Sequence, residues 1–157
     1  MKVFRTCSSM ETVAVASELG KLLRPGDVIC LNGDLGAGKT AFTNGIAEAL
    51  GIKRYITSPT FTIVNEYDAD IPLYHFDVYR ISDPEEMFDI GFEEYLSGEG
   101  VVVVEWSDLV RDIIPEENIR VNINKDISNG QDVRIISMQF IGDRYKEYEN
   151  QLAGPNK

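Results

Sequence analysis

Residues 33–40 read Gly-Asp-Leu-Gly-Ala-Gly-Lys-Thr and fill the pattern G-x-x-x-x-G-K-S/T. Glycines at this spacing let successive backbone N–H groups curl around a phosphate, and a helix opening in the loop adds its dipole. In such a loop Gly33, Asp34, Leu35, Gly36, Ala37 and Gly38 wrap the phosphates. Lys39 reaches the β- and γ-phosphates, and the Thr40 hydroxyl ligates Mg²⁺. Two other stretches carry acids suited to that chemistry. Val101 to Val104 is an apolar run followed by Glu105 and Trp106. A buried parallel strand of this kind delivers its last residue to the ligand edge of an open α/β sheet. There Glu105 holds Mg²⁺, directly or through water.

In Leu73-Tyr74-His75-Phe76-Asp77-Val78-Tyr79-Arg80, alternation puts His75, Asp77 and Tyr79 on one face, spaced by roughly 7 Å. His75 is the only histidine. A lone strand histidine is usually structural, but Asp is disfavoured in strands without a partner or a task. Beside a Mg²⁺–triphosphate site, Asp77 binds the metal through water or orients the attacking water. Trp106, the only tryptophan, is either core or a lid near the nucleotide.

These residues need a sheet and helices to hold them. Val28–Leu31 is the strand entering the loop, and Phe42, Ile46 and Leu50 mark one face of the helix leaving it, with Gly51 at its end. Earlier, a first strand surrounds Lys2–Phe4. Ser8 and Glu11 form a capping box for a helix running to about Leu23, with Val15, Leu19 and Leu22 on one face. Ser8, Ser9 and Thr12 either serve the helix start or approach the bound base. Arg24-Pro25-Gly26-Asp27 is a turn. Ile56–Thr62 opens another strand around Pro59. Its hydroxyls (Ser58, Thr60, Thr62) fit simple β-propensity or a switch sensing the γ-phosphate equally well. Residues 60–67 and 73–80 pair through the Asp68-Ala69-Asp70 turn.

Asp83 and Pro84 start a helix with Phe88, Phe92 and Tyr95 on one face. Its acidic residues read as a solvated face, with a docking surface the lesser alternative. A short helix at Ser107–Arg111 follows the valine strand. Strands at Ile119–Asn124 and Val133–Ile141 then run antiparallel across Asn129-Gly130, and a helix spans Asp143–Leu152 before a frayed tail at 153–157. The expected fold is α/β, a P-loop NTPase-type three-layer sandwich with a mixed, mostly parallel sheet and antiparallel edge strands. Residues 1–157 form one domain.

Composition narrows the function. The chain has 157 residues, 43% of them hydrophobic and 26% charged, as a globular protein should. No apolar run approaches the roughly 18 residues of a membrane span, and the N-terminus lacks a secretory core, so a cytoplasmic location without membrane contact is expected. Two cysteines make no disulfide framework or metal cluster. With a net charge of −11 and no Lys/Arg cluster, the chain lacks the basic patch of an autonomous nucleic-acid binder. Any nucleic acid is held by a partner.

Taken together, the blocks Gly33–Thr40, Ser58-Pro59-Thr60-Phe61-Thr62, His75–Arg80 and Glu105-Trp106 resemble, in order and spacing, the TsaE (YjeE) family of bacterial tRNA threonylcarbamoyladenosine (t6A) synthesis. The resemblance spans about residues 8–140. It implies a weak ATPase acting with the TsaB and TsaD proteins, which modify N6 of adenosine 37 in tRNA; tRNA is met only through that complex. It assigns Lys39 and Thr40 to phosphate and Mg²⁺, Glu105 to the metal, and Asp77 to water activation or metal positioning. Thr60 falls in a switch-like segment, and His75 becomes part of the site. Nucleotide contacts near Ser9 and Arg134 are implied on softer local agreement. The competing readings are a small-molecule P-loop kinase, for which an arginine-rich lid is missing, and a GTPase-like switch. The latter lacks Asn-Lys-x-Asp, because Asn124-Lys125-Asp126 has no spacer.

Overall fold

The computed structural model describes residues 1–59 and 62–152. Its strands are β1 (Lys2–Thr6), β2 (Val28–Gly33), β3 (Val64–Tyr67), β4 (Leu73–Asp77), β5 (Val101–Glu105), β6 (Asn118–Lys125) and β7 (Arg134–Ile141). The helices are α1 (Ser9–Gly20), α2 (Lys39–Ala49), α3 (Glu86–Asp89), α4 (Phe92–Tyr95) and α5 (Lys146–Gln151). Among the described residues the strands form one sheet in the order β1-β7-β6-β2-β5-β4-β3. Its middle, β6-β2-β5-β4, is parallel. Antiparallel pairings of β7 with β6, β1 with β7, and β3 with β4 finish both sides.

Every residue of β5 is buried, because both faces of the sheet are covered. Val101 and Val103 join Ile29, Leu31 and Val121 against Ala16 and Leu19 of α1 and Phe42 and Ile46 of α2. Val102 and Val104 join Phe76 and Val78 against Met87, Phe92 and Val110. The sheet is thus the middle of three layers. The order of parallel strands gathers their C-terminal ends at the loop between β2 and α2, where open α/β sheets bind ligands.

At the other end of β2 the C-terminal segment is clasped to the sheet. Asp27 is fully buried and accepts from Arg144 Nε at 2.8 Å, Tyr148 Oη at 2.7 Å and the Arg24 backbone at 2.7 Å. Tyr145 Oη accepts from Val28 N at 3.0 Å.

Several sequence expectations need adjustment. α1 stops at Gly20, and its buried face is Thr12, Ala16, Leu19 and Gly20, with Val15 only partly buried. Ser8 Oγ does accept from Glu11 N, but Glu11 answers the backbone N–H of Cys7, not that of Ser8. No strand forms over Ile56–Pro59, and the antiparallel pair is confined to residues 64–67 and 73–77. The helix after Pro84 is two short pieces broken at Gly91, whose φ of +79° suits glycine. Met87 fills the core position assigned to Phe88, which is exposed. A longer 3₁₀ segment, Ser107–Ile113, replaces the short helix there. Thr60, Phe61 and the tail at 153–157 lie outside the described residues.

Candidate functional site

Gly36 and Gly38 adopt φ of +77° and +111°, the left-handed region open to glycine, so the loop turns tightly before α2 begins at Lys39. A Cβ on Gly33 would lie 2.7 Å from the Ile123 carbonyl, which keeps the loop entry close to β6. The Lys39 side chain folds back into the loop. Its Nζ donates to the carbonyls of Gly33 and Asp34 and lies 4.5 Å from the centre of the Trp106 ring. Burial lowers the Lys39 pKa from its ordinary value, while Glu105, Asp77 and Asp34 pull it back up.

Strand register brings the acids together. Glu105 is the partner of Leu31 on β2 and of Asp77 on β4, so the two carboxylates stand side by side on neighbouring strand ends. They share the α2 face, two residues beyond the core positions Val103 and His75. Asp77 is held by Ser58 Oγ at 3.2 Å and by Tyr79 N at 3.0 Å. Glu105 is buried and bonds His75 Nε2, whose ring is fully buried behind it.

Trp106 has φ +60°, rare for a bulky residue, and its N–H reaches the Leu31 carbonyl at 3.2 Å. This turn sets its ring over Lys39 and against Tyr79, 4.7 Å between centres. Tyr79 lies beyond the end of β4 and is exposed, so it does not continue the His75–Asp77 face as a strand residue.

Two cavities adjoin across Gly36 and Gly38. One, of about 330 Å³, is bounded by Leu35, Lys39, Thr40, Ser58, Asp77, Glu105 and Trp106. The other, of about 310 Å³, is bounded by Ser8, Ser9, Thr12, Ala37, Asp132 and Arg134. Arg134 also braces the loop, donating from Nε to the Ala37 carbonyl at 2.9 Å and from Nη2 to the Gly36 carbonyl at 3.2 Å. The distant positions Ser9 and Arg134 therefore meet beside the loop. Thr12 spends its hydroxyl on Thr6, 2.8 Å away. Thr60 lies outside the described residues. Asp132 was not singled out by the sequence, because no local pattern marks it; only the approach of β7 to the loop places it here.

Among the described residues, no group of three or more His, Cys, Asp and Glu side chains is arranged to hold a metal unaided. Among the described residues, the side-chain oxygens facing the first cavity come from Thr40, Ser58, Asp77 and Glu105. That set suits a hard cation such as Mg²⁺, which binds through one or two carboxylates and substrate phosphates.

The family model "Threonylcarbamoyl adenosine biosynthesis protein TsaE" matches residues 6–134. The chain belongs to the TsaE family. All four sequence blocks fall inside the match, and so do both cavities. TsaE of Bacillus subtilis (strain 168) is 47% identical over 151 residues, covering 96% of this chain and 92% of that one. TsaE of Treponema pallidum (strain Nichols) is 43% identical over 116 residues, covering 74% and 86%. Both are named tRNA threonylcarbamoyladenosine biosynthesis proteins. The crystal structure of YdiB from Bacillus subtilis has the same fold, with a TM-score of 0.82, 42% identity and coverage of 96% and 92%. Among the described residues of this TsaE chain, no helix is long and apolar enough to cross a membrane.

Proposed function

We propose that this chain binds ATP with Mg²⁺ and hydrolyses it slowly, in support of tRNA t6A37 modification carried out with TsaB and TsaD. The observation that carries the reading is Lys39 seated in a glycine loop, facing two carboxylates on adjacent strand ends. In phosphoryl transfer the protein chiefly positions groups and stabilises charge. Loop N–H groups and the start of α2 would receive the phosphates, and Lys39 would neutralise charge developing on the γ-phosphate. Thr40 and Glu105 would hold Mg²⁺, which would supply positive charge against the phosphates. Asp77, fixed from two sides, would orient the attacking water. The cavity between Ser9 and Arg134 would take the nucleoside. Trp106 and Tyr79 would cover the phosphates from solvent.

The test is ATP hydrolysis by the chain alone and with purified TsaB–TsaD, using Lys39→Ala as control. Hydrolysis that changes with the partners and falls on the order of 10²-fold or more in the variant is the expected result. Partners that neither bind nor alter turnover would remove the t6A assignment and leave the nucleotide site standing. Transfer of the γ-phosphate to a metabolite would favour a kinase instead.

A further inference from the structure

Glu105 presents a carboxylate to the cavity, yet one of its oxygens is already committed. Oε2 bonds His75 Nε2, and the two side chains are 3% and 0% exposed. The second ring nitrogen, His75 Nδ1, is buried with no hydrogen-bond partner among the described residues. A proton at Nδ1 would be a buried donor without an acceptor, whereas a bare lone pair there loses less. The ring proton therefore belongs on Nε2, directed at Glu105. Backbone pairing fixes the arrangement, because β4 and β5 set His75 opposite Val103 and Asp77 opposite Glu105. The ring thus sits one step behind the carboxylate on the same face.

We propose that His75 is a positioning residue for Glu105. In its neutral Nε2–H tautomer it donates to Oε2, locks the carboxylate rotamer and leaves Oε1 as the oxygen free for a cation. It touches neither nucleotide nor metal. The proposal rests on the nucleotide-site reading above and assigns one residue within it. Hydrogen bonds behind a liganding carboxylate set its direction, and their loss weakens metal affinity.

The single histidine makes the first test direct. Nitrogen NMR of the ring in the metal-free protein reports His75 alone. A protonated Nε2 with a bare Nδ1 is expected; a proton on Nδ1, or rapid averaging between the two nitrogens, overturns the proposal. The second test titrates Mg²⁺ against ADP binding. His75→Leu should raise the Mg²⁺ concentration needed by about 10- to 100-fold while metal-free ADP binding is kept. His75→Gln, whose amide N–H can donate to Oε2, should recover most of the loss. An unchanged Mg²⁺ requirement in folded His75→Leu overturns the positioning role. If that variant does not fold, the ring tautomer decides. The broader reading fails separately, through Lys39→Ala that still binds ADP normally.

Discussion

Asp77 has no freedom to wander, and that constrains what its removal can do. Ser58 holds one carboxylate oxygen and the Tyr79 backbone N–H holds the other. Asn at this position keeps the size and one acceptor but loses the charge. If the carboxylate orients water, Asp77→Asn should lower kcat on the order of 10²-fold while ADP affinity moves less than about tenfold. Single-turnover hydrolysis with a separate ADP titration reads both quantities. A matching fall in affinity would reassign Asp77 to metal binding. That these residues gather at one place was legible in the sequence, because a glycine loop with lysine and an acid ending a valine run are local patterns with known positions in an open α/β sheet. The His75–Glu105 bond was not, because it depends on register between strands separated by α3, α4 and their connections.

Elements show where patterning succeeds and where tertiary context overrides it. Both faces of β2 and β5 are covered, so their continuous apolar runs stood out. Ile56–Pro59 imitates a strand in composition, yet side chains satisfy its backbone: Tyr67 Oη accepts from Thr57 N and Asn65 donates to the Thr57 carbonyl. The apolar spacing of 88, 92 and 95 implied one helix, but Gly91 breaks it and turns Met87 inward. No pattern in a single helix announces how close α1 and α2 approach. At Gly45 an added Cβ would lie 2.3 Å from the Val13 carbonyl and 2.6 Å from Ala16 Cβ. Gly45→Ala must therefore push the helices apart, at a cost of about 1–3 kcal/mol. That lowers Tm by about 2–4 °C for each kcal/mol in a chain of this size. Since α1 begins at Ser9 and α2 at Lys39, the same displacement should weaken ADP binding. A Tm within 1 °C of the parent, roughly the shift a few tenths of a kcal/mol would produce, would show that the helices repack freely.

At the scale of the whole molecule, charge and anchoring make separate claims. A net charge of −11 opposes the phosphate backbone, so the chain alone should give no tRNA shift at about 0.15 M salt, and retention should require the partner proteins. Anchoring concerns Tyr145 and Tyr148, which lie past the family match yet close over the base of β2. Burial raises the Tyr145 pKa to about 12 from an ordinary 10.0, with Asp27 adding to the effect and the Val28 N–H opposing it. The folded state therefore keeps this proton longer than the unfolded chain does. Its contribution is complete below pH 10 and is lost as pH rises through 12. The full change is roughly 2–3 kcal/mol. Tyr145→Phe should start lower at neutral pH by about 1–3 kcal/mol, because the buried Val28 N–H loses its acceptor. It should then lose less stability on the alkaline side, so the two curves converge. Urea midpoints at neutral pH and at steps between 10 and 12 test this, with the variant subtracting the upward shifts at Tyr74, Tyr95 and Tyr148 that both proteins share. Curves that stay parallel would mean that the clasp opens before Tyr145 titrates, and that the C-terminal segment unfolds separately from the sheet.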